Sequence, residues 1–394
     1  ARRLPRTATC ATERRRVDDI AIDGVEDLLS ALRQGRMIVL LDDDGERYTE
    51  GVVAVAAEHC EAGHITFMAR RARGLVCLAI TRERSRQLAL PPMVEGADAE
   101  HGNYTLSIEA ARGIETGISA SDRAHTVRVA VAPQARPDDI VQPGHIFPVT
   151  AEPGGVLRRA GHAEAAVDAT RLAGLTPAAV LTSVLDSDGG LAGGRELVAF
   201  AREHGLKIGT IADLIQHRLL HERTIERVRR GRLETIHGPF ALTVYRDSID
   251  GELHLALARG AITLDSPTLV RVDAPATLRD LLGSDLPGGG SWSVHEALAR
   301  IAAADKGVLV LLARSESEEQ LLHSVDRAFG EERPSAAGPR ESYSTVGVGS
   351  QILRDLGVGQ IHLLGTPVKY NALSGFGLEV LAYLPSGDDR SQRG

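Results

Sequence analysis

Cysteine is scarce in this chain: only Cys10, Cys60 and Cys77 are present, and the second half has none. Their odd number and wide spacing fit neither a disulfide framework nor a zinc site. Such sparing cysteine use is typical of a reducing compartment, so we expect a cytoplasmic protein without structural disulfides.

Long apolar runs are also missing, and no segment is long enough to span a bilayer. The basic start of the chain lacks the apolar segment of a secretory signal, so we expect residues 1–20 to form a flexible arm. The net charge is −8 and the pI is about 6.0. Because no overall positive field exists, we expect neither nucleic acid nor a membrane surface as a partner.

The 394 residues are 43% hydrophobic and 25% charged, as in a soluble protein of about two domains. The spacing of apolar residues predicts an amphipathic helix at 25–34 and a buried strand at 37–41. An acidic loop at 42–51 and a helix at 52–59 are predicted next. The other elements predicted in this half are strands at 75–80 and 105–109 and helices at 164–173, 196–204 and 211–220.

The second half begins with a strongly charged run, 221–233, for which we predict a connector between domains. Strands are predicted beyond it at 240–245, 253–258 and 269–272. Helix and strand patterns then alternate at 294–304, 308–312, 350–356 and 361–364, which is typical of an α/β domain. We therefore expect domains at 21–220 and 234–385, with a tail at 386–394.

An ordered series of motifs occupies the first domain. They include Thr105-Leu-Ser-Ile-Glu-Ala110, Thr116-Gly-Ile-Ser-Ala-Ser-Asp-Arg-Ala124, Pro143-Gly-His-Ile-Phe-Pro148 and Gly161-His-Ala-Glu-Ala165. With these, residues 35–218 resemble 3,4-dihydroxy-2-butanone 4-phosphate synthase. The resemblance implies an α+β domain that converts ribulose 5-phosphate to formate and a four-carbon ketone phosphate. It also implies a divalent metal, commonly Mg²⁺, and a homodimer with its sites near the subunit interface.

The resemblance assigns roles to residues of these motifs. As catalytic residues it implies Arg47, Glu50, His145, His162 and Glu164, with His162 also a metal ligand. Tyr48, which stands where the family has a glutamate, is a further catalytic candidate. Substrate and phosphate contacts are expected from Thr105, Thr116, Ser119, Asp122, Arg123, Arg159 and Cys77. Hydroxyls, arginine forks and a glycine for close approach suit a phosphate. For Cys77, a role as a small buried hydrophobe is an equal alternative.

Four polar groups of the family pattern are replaced. The family's metal-binding glutamate is Tyr48, a substrate-binding aspartate is Val52, a phosphate-binding threonine is Ala163, and a catalytic carboxylate is Ser183. Of the family's metal ligands only His162 remains, so we expect weakened Mg²⁺ binding, unless Asp42, Asp43, Asp44 or Glu46 takes over. A merely solvated loop explains this acidic run equally well. Tyr48 is a poor Mg²⁺ ligand but a possible proton donor.

The second half resembles GTP cyclohydrolase II in His237-Gly-Pro-Phe240 and in Val346-Gly-Val-Gly-Ser-Gln-Ile-Leu-Arg-Asp-Leu-Gly357, which imply an α/β domain. That family holds zinc through three cysteines, and the corresponding segment here is Leu286-Pro-Gly-Gly-Gly-Ser291. Zinc needs three protein donors for ring-opening hydrolysis. We therefore expect a domain without zinc that is catalytically inactive.

Three hypotheses for function follow. The first is an enzyme that acts on ribulose 5-phosphate or a similar ketose phosphate by enolisation, with altered or metal-independent chemistry. The second is a non-catalytic relative that binds a ligand or a partner of the riboflavin pathway. The third is the standard synthase reaction.

Overall fold

The computed structural model describes residues 22–43, 48–94, 103–284, 292–304, 306–313, 316, 318–330, 339–365 and 376–386. The chain forms two compact units. The first unit runs up to Glu152 and again from Gly161 to Asp213. The second unit contains Pro153–Ala160 and the chain from Leu214 onward. No helix in these ranges is long and apolar enough to cross a membrane.

The first unit is built on a mixed seven-stranded sheet in the order β4-β5-β3-β6-β2-β1-β7. Its strands are β1 (Ile38–Asp43), β2 (Tyr48–Ala56), β3 (Cys77–Ile80), β4 (Ile108–Ala110), β5 (Ile140–Thr150), β6 (Ala178–Ser183) and β7 (Lys207–Thr210). Its helices are α1 (Val25–Arg33), α2 (Ala62–Phe67), α3 (Arg82–Gln87), α4 (Ala120–Val131), α5 (His162–Leu172), α6 (Gly194–Glu203) and α7 (Ile211–His221), which continues into the second unit. Only β1 with β7 and β3 with β5 pair in parallel.

Helices cover both faces of this sheet. Val39, Leu41, Val53 and Val55 belong to a core cluster that also contains residues of α2, α4 and α6. Strand neighbours alternate between faces, so Glu50, Val52 and Ala54 point to the opposite side. There α5 packs on β1, β2, β3 and β6. The small buried residues of α5, among them Ala165, Ala166 and Ala169, let it lie close to the sheet.

The helix predicted at 52–59 is wrong. Residues Tyr48–Ala56 form β2, which pairs with β1 on one side and β6 on the other, and only a short 3₁₀ turn, Ala57–His59, follows. All residues from Val52 to Ala57 are buried. A strand buried on both faces shows no alternation, so periodicity alone cannot distinguish it from a buried helix. The predicted acidic loop is correspondingly shorter, because Asp42 and Asp43 end β1 and Glu50 lies within β2.

The second unit has its own mixed seven-stranded sheet, in the order β14-β13-β11-β12-β10-β9-β8. Its strands are β8 (Ile225–Thr235), β9 (Gly238–Asp247), β10 (Leu253–Arg259), β11 (Thr268–Asp273), β12 (Gly307–Leu311), β13 (Gln360–Leu364) and β14 (Glu379–Leu384). Its helices are α8 (Val294–Ala304), α9 (Glu318–Ala328) and α10 (Pro339–Asp355). Both units therefore mix helices with strands, as expected for the two domains.

The charged run 221–233 is not a connector, which corrects the predicted domain boundary. From Ile225 onward it forms β8, the edge strand beside β9. Most of β8 is exposed, so charged side chains are tolerated along it, and charges also suit an unpaired edge. Because both faces of β8 are exposed, its sequence does not alternate between apolar and polar residues, and a strand could not be predicted from it.

Candidate active site

Glu50 and His162 form the centre of the site. Glu50 lies on β2, and His162 is the first residue of α5, with its Nδ1 3.7 Å from Glu50 Oε1. Asp42 lies directly opposite Glu50 in the β1–β2 pairing, so both carboxylates belong to the same face of the sheet. The N-terminus of a helix favours negative charge, and the N-terminus of α5 lies beside the Glu50 carboxylate. The arrangement supplies an imidazole and a carboxylate oxygen side by side.

Two predicted catalytic residues cannot be placed as side chains. Arg47 lies outside the described residues, as do Asp44 and Glu46. Tyr48 opens β2 as the partner of Asp43, but the description of both is limited to their backbone.

Two of the replaced acids are neighbours. Val52 on β2 pairs directly with Ser183 on β6, so their side chains share the face that carries Glu50. Where the family pattern has two carboxylates, this face has a buried isopropyl group and a hydroxyl. Ala163, which replaces the threonine, is buried in the first turn of α5. These positions therefore carry two fewer negative charges than the family pattern implies.

Cys77 belongs to the same face, because its partner on β6 is Leu181, two residues from Ser183. Burial raises the pKa of the Cys77 thiol to about 11, and a hydrogen bond with the Tyr104 hydroxyl opposes this rise. Burial, together with the neighbouring Cys77, raises the pKa of Tyr104 to about 12. Both groups are neutral at physiological pH, so Cys77 acts as a small wall residue and not as a thiolate. Thr105, also buried, donates its backbone N–H to Pro148.

A second cluster is centred on His145 of β5. His145 Nδ1 lies 2.6 Å from Oε2 of Glu109, a buried residue of β4. The Thr126 hydroxyl donates to the other carboxylate oxygen, at 3.2 Å. An ionised carboxylate can only accept, so Nδ1 donates and Nε2 is left to act on a ligand. The sequence analysis missed Glu109, although an acid inside a short apolar strand signals a buried charge that needs a partner.

The loop from Thr116 to Arg123 leads into α4 and is folded on its own Asp122. The N–H groups of Thr116 and Gly117 donate to Asp122 Oδ2 at 3.2 and 3.0 Å. Burial would raise the pKa of Asp122, but these bonds and one from Ser119 outweigh it and lower the pKa. The hydroxyls of Ser119 and Ser121 lie 2.8 Å apart on the exposed side. Any phosphate bound here would therefore meet hydroxyls, and not the two N–H groups held by Asp122.

Gly117 joins this loop to the His145 cluster. Its φ is +78°, and an added Cβ would collide with Glu109 Oε2 and lie 2.8 Å from His145 Nδ1. Arg123 is half-buried beside the same carboxylate. Burial lowers the pKa of Arg123, the Glu109 charge opposes that effect, and its buried Nε has no hydrogen-bond partner among the described residues. The structure thus brings together Ser119, Arg123 and His145.

Glu164 and Arg159 are the remaining residues predicted for the site. Glu164 is fully buried and its Oε1 accepts the N–H of Glu152 at 2.9 Å, so it supports the backbone after β5. Arg159 belongs to Pro153–Ala160, the segment that groups with the second unit. Among the described residues, no group of three or more His, Cys, Asp and Glu is arranged to hold a metal.

Comparisons with known proteins agree with both halves. The family model for 3,4-dihydroxy-2-butanone 4-phosphate synthase matches residues 26–217, and that for GTP cyclohydrolase II matches residues 226–385. A 3,4-dihydroxy-2-butanone 4-phosphate synthase of Pseudomonas aeruginosa is 49% identical over 368 residues, covering 93% of this chain and 100% of the relative. The riboflavin biosynthesis protein RibBA of Aquifex aeolicus is 40% identical and covers 93% of both chains.

A solved structure has the same two-domain arrangement of sequence. It is RibBX, a two-domain 3,4-dihydroxy-2-butanone 4-phosphate synthase from A. baumannii, with 43% identity and a TM-score of 0.77, covering 92% of this chain and 99% of that one. These matches extend through both sheets and both clusters of site residues. The chain therefore belongs to the 3,4-dihydroxy-2-butanone 4-phosphate synthase family, in the form in which a GTP cyclohydrolase II-like domain follows the synthase domain.

Proposed function

We propose that this chain catalyses the standard reaction of its family, the conversion of ribulose 5-phosphate to formate and 3,4-dihydroxy-2-butanone 4-phosphate. The observation that carries the proposal is the Glu50 carboxylate, which lies 3.7 Å from His162 on a face shared with Asp42. The sequence analysis counted His162 as the one remaining metal ligand, and Glu50 adds a second. Relatives with 42–49% identity over 92–93% of the chain carry the synthase name, which favours this reaction over altered chemistry.

Glu50 and His162 fit a Mg²⁺ ion. This cation usually keeps several waters and takes only one or two protein carboxylates besides its substrate, so two donors are enough. Its chemistry in this site would be to polarise the ketone oxygen of the substrate. No zinc enters the proposal, because the chain has no set of three cysteines in its second half.

The other residues supply proton transfer and phosphate binding. Asp42 is the second carboxylate on the face and can take the proton next to the ketone. His145, oriented by Glu109, binds the phosphate together with Arg123 and the hydroxyls of Ser119 and Ser121. The reaction needs no further reactant, because the atoms of formate and the four-carbon product add up to those of ribulose 5-phosphate.

A homodimer is part of the proposal. Glu50 on β2 and His145 on β5 are separated by three strand spacings, or about 14 Å. A pentose phosphate spans roughly 9 Å, judged from its chain of single bonds. Both clusters can act on one substrate if one copy of the chain supplies Glu50 and His162 and a second copy supplies its His145 cluster. Exposed apolar side chains beside β4 and β5, among them Leu106, Ile118 and Val141, suit such a contact.

A second candidate is a simpler enolisation without carbon-chain rearrangement. The pairing of Val52 with Ser183 favours it, because two carboxylates of the family pattern are missing from adjacent positions. Moving a carbon fragment needs more placed charges than moving one proton.

Formate release from ribulose 5-phosphate by the full chain distinguishes the two. With Mg²⁺ we expect turnover that a chelator abolishes. Glu50→Gln and His162→Asn should each lower it at least about 100-fold. Glu203→Gln is the matched control, since it removes an exposed carboxylate at the end of α6, beside His204, and should leave the rate unchanged. Loss of the substrate without formate would support the second candidate, and chelator-resistant formate would exclude the metal role of Glu50.

A further inference from the structure

Thr126 of α4 is fully buried, and its hydroxyl makes two hydrogen bonds to β4. The hydroxyl accepts the backbone N–H of Ala110 at 3.0 Å and donates to Oε1 of Glu109 at 3.2 Å. A helical threonine can instead donate to a carbonyl of its own helix, but here the proton goes to the carboxylate. One side chain of α4 thus fixes the backbone of one strand residue and the carboxylate of the residue before it.

The Glu109 carboxylate has two basic side chains beside it. Its Oε2 lies 2.6 Å from His145 Nδ1. Arg123 precedes Thr126 by three residues on α4, so both belong to the same side of the helix. Burial lowers the pKa of Arg123, and the nearby Glu109 charge opposes that fall. The buried Nε of Arg123 nevertheless has no hydrogen-bond partner in the part of the chain that the structure describes.

The direction of the carboxylate therefore decides which basic side chain it binds. A carboxylate turns easily about its last side-chain bond, and a guanidinium is a strong partner because it can donate two parallel bonds. If Glu109 paired with Arg123, His145 would lose its acceptor and the guanidinium would be occupied. The hydrogen bond from Thr126 opposes this turn. Gly117 restricts the carboxylate as well, because an added Cβ there would collide with Oε2.

We infer that Thr126 is a positioning residue that holds Glu109 on His145 and away from Arg123, which leaves both basic side chains available to the phosphate of the substrate. The inference rests on the proposed function and concerns the first unit alone, to which all these residues belong. Without the hydroxyl, Glu109 loses a donor and turns to the guanidinium. The imidazole then loses the partner that fixes its tautomer.

The kinetic test is steady-state formate release by the full chain. Thr126→Val keeps the shape but removes the hydroxyl. It should raise the KM for ribulose 5-phosphate about tenfold and leave kcat within about threefold, because it weakens phosphate binding and leaves the reacting groups in place. Thr126→Ser keeps the hydroxyl and should stay within about twofold of wild type. Thr170→Val is the matched control: this equally buried helical threonine donates to Val167 of its own helix, and KM should not change.

Nitrogen NMR of the histidine side chains tests the contact without turnover. At about pH 8.5, where an ordinary imidazole is neutral, His145 of the wild type should have a protonated Nδ1 and a bare Nε2. Its signals are identified by their loss in His145→Gln. In Thr126→Val the two signals should move toward each other, because the proton then exchanges between both nitrogens. Thr126→Ser and Thr170→Val should keep the wild-type signals.

Unchanged nitrogen signals in a folded Thr126→Val, or an unchanged KM, would overturn the inference. If Thr126→Val fails to fold, Thr126→Cys is measured in its place. Its thiol donates only weakly, so the signals should move in the same direction and KM should rise about threefold. A wild type that does not convert ribulose 5-phosphate would overturn the proposed function, while the nitrogen signals would still decide whether Thr126 positions Glu109.

Discussion

At the scale of single residues, hydrogen bonding separates two kinds of buried group in the first unit. Glu109 and Asp122 lie in buried surroundings, and each carboxylate accepts at least two hydrogen bonds. Cys77 and Cys60 are buried without comparable support, and burial raises the pKa of both thiols, to about 11 and about 12. The site therefore has carboxylates and imidazoles as reactive groups, and its thiol is inert.

The thiols provide the first prediction. At pH 8 a thiol with a pKa of about 11 is a thiolate in roughly one molecule in a thousand, and only the thiolate reacts quickly. We expect Cys60 and Cys77 of the native chain to react with iodoacetamide at least about 100-fold more slowly than in urea. Peptide mass spectrometry over time measures both sites, and rapid native labelling of Cys77 would contradict the assignment.

Glu109 provides the second prediction. Glu109→Gln keeps the shape but removes the charge that orients His145, so formate release should fall about 10- to 100-fold with little change in melting temperature. Glu115→Gln, the same change on an exposed residue of the adjacent loop, is the control and should have no effect. Equal activity of both variants would mean that His145 does not need its carboxylate partner.

At the scale of elements, the start of α4 illustrates how a helix end is closed. Ser119 caps the helix through its hydroxyl, and Asp122 accepts the N–H groups of the preceding loop. Those bonds favour the ionised carboxylate, so its pKa in the folded chain lies below the ordinary 3.8. The stabilisation is complete above that ordinary value and is lost as the pH falls through the lowered one.

The third prediction follows from this sign. Asp122→Asn should lower the melting temperature by a few degrees at pH 7, and the difference from wild type should shrink as the pH falls below about 4. Thermal melts at several pH values measure it, with Asp138→Asn on an exposed turn as the control. A difference that grows on acidification would show that the carboxylate is not stabilised in its charged form.

Elements also show how far the sequence allows prediction. Helix α1 was predictable, because its leucines form one face and Gly35 follows its end. Strands β2 and β8 were not predictable, for opposite reasons. Strand β2 is buried on both faces and β8 is largely exposed, so neither shows an alternation of apolar and polar residues. The motifs identified His145 and His162. The contacts of Glu109 with His145 and of Glu50 with His162 depend on how the strands and helices come together, which a single sequence does not specify.

At the scale of the whole molecule, the two units differ in what their family patterns retain. The second unit keeps residues that order its fold, such as Gln351, while its sequence has no cysteine to bind zinc. As the fourth prediction, we expect the purified chain to contain no stoichiometric zinc and to release no formate from GTP. Elemental analysis and a formate assay measure this, and one zinc per chain would contradict it.

The excursion of Pro153–Ala160 has a consequence for any attempt to shorten or recombine this protein. Because the chain passes between the units at three places, after Glu152, after Ala160 and after Asp213, no single cut yields two complete pieces. A truncation after Asp213 would keep residues 153–160 but remove the rest of the unit to which they belong. Loss of the second domain by simple gene fission would therefore leave an eight-residue segment of that domain behind, between β5 and α5 of the first.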